Sequence, residues 1–239
     1  MRYAVISDVH ANLEALNAVI KKIREEHIDR LWFLGDIVGY GPDPLKCIET
    51  LEKEADVLIA GNHDQAAIGL VDIAYFNPYA RAAIEWTHDI LGDKERAFLK
   101  QLPIKREMDG VLLVHSTPIE PGQWHYLMSV KDAFKNFRYF KENVCFIGHS
   151  HQPEIMELSP DNRITVYREH SQIREGHRYI INAGSVGQPR DGNPDSAYVL
   201  IDKNSIKINR CPYDIVSTQK KMRLAGLPAG LIDRLSRGI

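Results

Sequence analysis

The chain has 239 residues, with 30 Lys and Arg against 32 Asp and Glu, giving a formal charge of -2. That length can bury one sizeable α/β core, and the balance removes any global reason to expect a nucleic-acid duplex or a polybasic membrane patch as partner. Cys47, Cys145 and Cys211 are odd in number and widely spaced, with no C-x-x-C pair. This excludes a disulfide framework or zinc knuckle and fits thiols in or near the core in a reducing compartment. Acidic and imidazole side chains arrive by position 10, so no secretory apolar segment precedes them, and no apolar run approaches membrane length. The expectation is a single domain over 1–239 in the cytoplasm, with the oligomeric state open.

In chain order, residues 2–7 (RYAVIS) form a β-rich run that stops at Asp8. Residues 12–26 carry apolar side chains at 13, 16, 19, 20 and 23, one helix face, with Asn12 as N-cap. Further short apolar runs at 30–35, 56–61, 111–116 and 144–149 end in small or polar residues, with helices near 44–54 and 130–140. Between Gly69 and Pro103 the pattern is a mostly helical insert, in which Asn77 and Pro78 open a helix running to about Leu91. The Asp-Gly pair at 109–110 predicts a tight hairpin turn. Residues 154–158, 163–169, 178–184, 197–202 and 205–210 alternate between turn residues, which predicts an antiparallel sheet beside a first α/β sheet. Residues 214–239 carry Lys220, Lys221, Arg223, Arg234 and Arg237 on short helices, read as a solvated face.

Five polar clusters end predicted strands: Asp8-x-His10, Gly35-Asp36, Gly61-Asn62-His63-Asp64, His115 and Gly148-His149-Ser150-His151. In α/β sheets ligands gather at the carboxyl ends of strands, which is where all five fall. A single strand-end His or Asp is usually a turn former or a satisfied polar group. The set is a stronger signal, because it gathers five of the ten histidines and a glycine in three of the five clusters. Residues i and i+2 of an extended chain face the same side, so Asp8 with His10, and His149 with His151, can share a cavity. Carboxylate oxygen and imidazole nitrogen suit divalent Mn, Fe, Co, Ni or Zn, and the absence of nearby cysteine argues against structural zinc. Asp8, His10, Asp36, Asn62, His115, His149 and His151 are too many donors for one open catalytic ion. They suit two ions sharing a carboxylate, ~3.5–4 Å apart in two-metal hydrolases.

The series D-x-H, G-D, G-N-H-D, H and G-H-x-H over residues 8–151 resembles the calcineurin-like metallophosphoesterase family. NAGSVGQPRDG at 182–192 is similar to a stretch in that family's small bacterial phosphodiesterases. The resemblance implies a four-layer α/β/β/α sandwich of two mixed sheets. It also implies one ion on Asp8, His10, Asp36 and His151, a second on Asp36, Asn62, His115 and His149, and His63 beside the leaving group. The expected activity is hydrolysis of a small nucleotide or other organic phosphate ester by attack of a metal-bound hydroxide, with Asp64 orienting His63.

Arg190 is a candidate phosphate contact, and Tyr40 and His125 are candidate cleft residues; against these stand an exposed loop arginine, a packing tyrosine and a surface histidine. Three other functions compete with this reading. Ser/Thr protein phosphatases of this family carry G-D-x-x-D-R-G after the second motif, where this chain has Gly39-Tyr40-Gly41 and lacks the arginine. A diadenosine polyphosphate hydrolase would use the GYGPDP loop and the 70–103 insert to cover a longer substrate. A non-catalytic scaffold should lack a ligand or the catalytic histidine, and all are present.

Overall fold

The computed structural model describes residues 1–108 and 110–239. The first half alternates strands with helices: β1 (Tyr3–Ile6), α1 (Leu13–Glu25), β2 (Arg30–Phe33), α2 (Pro44–Glu54), β3 (Val57–Leu58) and α3 (Asn62–Ala67). Asn12 caps α1, its Oδ1 accepting from Ala15 N at 3.2 Å, and Ala15, Leu16, Val19, Ile20 and Ile23 are the buried face that the apolar spacing marks out. The insert is α4 (Pro78–Ile90) and α5 (Asp93–Gln101), with Asn77 capping α4 through Ala80 N at 3.0 Å. Next come β4 (Lys105–Met108), β5 (Val111–Val114), α6 (Val130–Asn136) and β6 (Val144–Ile147). β4 and β5 pair antiparallel with Met108 opposite Val111, while Asp109 of the expected Asp-Gly turn lies outside the described residues. The second half gives β7 (Glu154–Leu158), β8 (Ile164–Tyr167), β9 (His170–Gln172), β10 (Arg178–Asn182), β11 (Ser196–Ile201), β12 (Ser205–Cys211), α7 (Ile215–Leu224) and α8 (Ala229–Leu235).

These strands build two mixed six-stranded sheets, ordered β3-β2-β1-β11-β12-β9 and β4-β5-β6-β10-β7-β8. This corrects the expectation that the second half forms an antiparallel sheet of its own. β11 joins β1 antiparallel in the first sheet, and β10 joins β6 parallel in the second. Alternation reports one buried face but not which neighbour a strand takes, so sheet membership was invisible to it.

Val5, Trp32, Leu34 and Ile59 of the first sheet meet Leu113, Phe146, Ile155 and Ile181 of the second in one buried cluster. Each such side chain contributes about 1.5–3 kcal/mol. α1 and α2 cover the outer face of the first sheet and α6 that of the second, which gives the four layers. The three cysteines are buried free thiols, and among the described residues no helix is long and apolar enough to cross a membrane. The parallel strands β1, β2, β3, β5 and β6 deliver the five polar clusters from their carboxyl ends to one edge of the sandwich.

Candidate metal centre and cleft

The clusters arrive on strained backbone. Asp8, His10, Asp36, Tyr40, His149 and His151 all have positive φ, between 49° and 67°, a region that non-glycine residues rarely occupy. Such conformations persist only where the surroundings over-determine them, and they gather at functional sites. Gly61 and Gly148 lie so close to the Asp36 and Asp8 carboxylates that a Cβ at either would collide with them.

Each aspartate is half-satisfied. Asp8 Oδ2 accepts from His149 N at 3.0 Å, and Asp36 Oδ1 accepts from His63 N at 2.9 Å. The other oxygens face imidazoles: Asp8 Oδ1 is 3.2 Å from His151 Nε2, and Asp36 Oδ2 is 3.3 Å from His115 Nε2 and 3.6 Å from His10 Nε2. The rings are fixed by carbonyls. His10 Nδ1 sits 3.1 Å from Val38 O, His115 Nδ1 2.8 Å from Leu34 O, and His151 Nδ1 2.5 Å from Gln188 O. A proton on each Nδ1 leaves the Nε2 lone pair aimed at the cluster. His149 is reversed: its Nε2 meets Trp124 O at 2.9 Å, so Nδ1 is its free donor.

Donor atoms of Asp8, His10 and His151 lie within 4.8 Å of one another, as do those of Asp36, His115 and His149, and those of His10, Asp36 and His63. Asp8 Oδ1, Asn62 Oδ1, His115 Nε2 and His63 Nδ1 are buried with no hydrogen-bond partner. Leaving such atoms unmade costs about 1–3 kcal/mol each, so their gathering at one spot calls for a ligand that all can reach. Mixed carboxylate, amide and imidazole donors fit borderline divalent cations. The residues present therefore fit a metal pair, and Asp36 belongs to groups on both sides of the cluster.

Charge supports that state at His149 and His151 but opposes it at His115. Burial raises the Asp8 and Asp36 carboxyls, but the nearby histidines outweigh it and hold both below the usual range. Burial lowers His149 to about 3 and His151 to about 4, keeping both neutral. Burial also lowers His115, yet Asp36 and Asp8 prevail and hold it up at about 9. Metal binding there must displace a proton.

His63 is buried beside the cluster, its ring 4.8 Å from His10 and 4.5 Å from Tyr40, and burial drives its pKa well down. Asp64 makes no hydrogen bond to that ring, contrary to expectation. Its oxygens accept instead from the backbone amides of Asp36 at 2.8 Å, Ile37 at 2.8 Å, Val38 at 3.2 Å and Gly61 at 3.0 Å. Asp64 thus ties the Asp36 loop to the Asn62 loop. Burial and the Asp36 charge push it up to about 7 against the pull of those amides.

An open cleft of about 730 Å³ runs from Asn62, His63 and His149 to an aromatic wall of Tyr40, Tyr75, Phe76, Trp124 and Tyr126. Tyr126 stacks on His149 with centroids 4.1 Å apart and planes 17° apart. Tyr40 lines this cleft. His125 does not: it is exposed and reaches Glu120 at 3.3 Å, while its neighbours Trp124 and Tyr126 turn inward. The sequence signal in the loop GQWHY lies in its two aromatic rings and not in its histidine. Arg190 is half-buried, with its Cζ 5.5 Å from the Tyr40 ring.

Comparison with known proteins bears on this geometry. The domain described as the calcineurin-like phosphoesterase superfamily domain matches residues 1–205. The crystal structure of a metallophosphoesterase from Sphaerobacter thermophilus is 39% identical, covers 100% of this chain and 99% of that one, and superimposes with a TM-score of 0.87. An uncharacterized protein of Methanocaldococcus jannaschii is 38% identical over 98% of this chain and 97% of its own length. A symmetrical bis(5'-nucleosyl)-tetraphosphatase of Aromatoleum aromaticum is 32% identical, but over only 37% of this chain and 33% of that enzyme.

Proposed function

The chain belongs to the calcineurin-like phosphoesterase superfamily, and from that premise we propose a phosphodiesterase that uses two divalent metal ions on a small, nucleotide-like phosphate ester. The family supports the coarser statement, a phosphoester hydrolase with a metal-binding site. The observation that carries the finer reading is the aromatic-walled cleft opening directly onto Asn62, His63 and His149. Its size suits a small organic ligand, and flat rings bind nucleobases by stacking worth about 1–3 kcal/mol per base.

A bound pair of divalent ions supplies positive charge for the phosphate and lowers the pKa of water enough to make a nucleophile. Asp8, His10, Asp36 and His151 would hold one ion and Asp36, Asn62, His115 and His149 the other, with Asp36 common to both. The unpartnered Asp8 Oδ1, Asn62 Oδ1 and His115 Nε2 support that assignment. His63, kept neutral by burial, offers an N–H to the departing oxygen and stabilises its developing charge. Asp64 acts at one remove, holding the two loops that present Asp36 and Asn62.

A second reading has a specific support. The partial likeness to the bis(5'-nucleosyl)-tetraphosphatase favours a dinucleoside polyphosphate as substrate. Protein reconstituted with Mn or Fe is assayed against bis-p-nitrophenyl phosphate, p-nitrophenyl phosphate, cyclic nucleotides, diadenosine tetraphosphate and a phosphopeptide. The proposal expects the diester and nucleotide substrates to turn over fastest. Preference for diadenosine tetraphosphate selects the second reading, and preference for the phosphopeptide overturns both.

A further inference from the structure

Helices α7 and α8 lie beyond residues 1–205, the part matched by the family domain, yet they close on the candidate site. Thr218 Oγ1 in α7 donates to Asn12 Oδ1 at 3.0 Å, two residues past His10. Lys221 Nζ reaches Glu14 at 2.5 Å and Asp43 at 2.8 Å. Lys221 is thus paired within the fold and not a free charge on a solvated face, though its side chain stays partly exposed. Met222, Leu231 and Leu235 pack with Tyr40, and Gly192 N donates to Gly238 O at 2.8 Å, binding the chain's last turn to the loop that carries Arg190.

This docking brings two guanidinium groups onto one neutral acceptor. Arg190 Nη2 donates to Gln188 Oε1 at 2.9 Å, and Arg234 Nη1 donates to the same oxygen at 3.4 Å. Neither arginine makes a salt bridge among the described residues, and the adjacent carboxylate of Asp191 is taken by Arg210. Arg190 Nε and Gln188 Nε2 are both buried without a hydrogen-bond partner, and Gln188 is 1% exposed. Arg190 also donates its backbone N–H to His151 O at 3.2 Å, which places the group against the metal cluster. Two adjacent cations and two unmade donors, with no carboxylate in salt-bridge reach among the described residues, suit an anionic ligand.

We propose that Gln188, Arg190 and Arg234 form a second anion site beside the metal cluster, which takes a phosphate of the substrate other than the one cleaved. Resting on the phosphodiesterase reading, this narrows its substrate class to esters carrying at least two phosphate groups, and so favours the dinucleoside polyphosphate of the second reading over a single-phosphate diester. Arg190 stands nearer the cluster and Arg234 is delivered by α8, so the C-terminal helices become a specificity element.

The test uses Arg234→Gln and Arg234→Lys in the full chain, with thermal melts to establish folding. Titration calorimetry of inorganic pyrophosphate on metal-free protein is expected to show affinity falling roughly ten- to hundredfold in Arg234→Gln, the loss of one charge-assisted hydrogen bond, with partial recovery in Arg234→Lys. In Mn-loaded enzyme, KM for diadenosine tetraphosphate should rise at least about tenfold more than KM for bis-p-nitrophenyl phosphate. Equal pyrophosphate affinity in wild type and a folded Arg234→Gln would overturn the anion site. Parallel KM changes for the two substrates would overturn its role in specificity. Arg234-dependent pyrophosphate binding by a protein that hydrolyses no phosphoester would support the anion site and overturn the phosphodiesterase reading instead.

Discussion

Two buried carboxylate clusters in this chain have opposite hydrogen-bond accounts. Glu157, on β7, is 2% exposed; Arg174 Nη1 reaches its two oxygens at 2.7 and 2.9 Å, Ser171 Oγ lies 3.4 Å away, and the His177 ring pairs with it. Asp8 and Asp36 are as deeply buried, yet Asp8 Oδ1 and the neighbouring Asn62 Oδ1 and His115 Nε2 have no hydrogen-bond partner. Burying charge is costly unless it is paired. Both oxygens of Glu157 are therefore paired within the fold, although His177 Nδ1 beside them makes no hydrogen bond, while the donors and acceptors around Asp8 and Asp36 are left open for a ligand.

The largest effect that could break this comparison is expected at Asp36, which touches both sides of the cluster. Asp36→Asn should lower phosphoesterase turnover by more than ~100-fold, the upper end for losing even an outer metal partner, and should reduce bound metal measured by elemental analysis. Unchanged metal content would show that the open oxygen has another purpose. His63→Ala comes next. Loss of a group acting on the leaving oxygen should cut turnover by about 10²–10⁴-fold while both ions stay bound. A fall in metal content instead would make His63 a ligand, as its proximity to His10 and Asp36 also permits.

Smaller effects sharpen the contrast. Tyr75 is 92% exposed on the cleft wall, so Tyr75→Ala should raise KM for a nucleotide substrate about fivefold or more, with kcat falling less than KM rises. An unchanged KM would remove that ring from substrate binding. For the satisfied cluster, burial raises the Glu157 carboxyl but Arg174 and Tyr167 outweigh it and hold it below its ordinary value of 4.5. A depressed carboxylate stabilises the fold above its ordinary range, and that stability is lost as pH falls through the lowered value. Acid denaturation should thus become shallower below about pH 4.5 in Glu157→Gln, with little change in activity at neutral pH. An identical acid limb would mean that the pair adds nothing.

Much of the candidate site is legible in the sequence because each candidate ligand follows the end of a strand, and strand ends in α/β sheets converge. Asp8, His10, Asp36, Asn62, His115, His149 and His151 do meet at one edge. Local signals also placed Asn12 and Asn77 as caps, since a cap is a contact within three residues. What was hidden depends on long-range pairing. Whether β10 or β11 completes a given sheet is decided by packing between distant segments, Tyr179 of β10 lying opposite Val144 of β6 and Ile201 of β11 opposite Tyr3 of β1. The carbonyls of Val38, Leu34, Gln188 and Trp124 that orient the histidines carry no side-chain signature. Arg234 read as surface charge because nothing local to α8 says that Gln188 lies against it.

We propose that Asp36 is shared by two ions at this cluster. Anomalous scattering from crystals grown with saturating Mn measures it directly. Two peaks ~3.5–4 Å apart flanking Asp36 are expected in wild type, with the loss of at least one in Asp36→Asn. A single peak away from Asp36, or none at all, would contradict it.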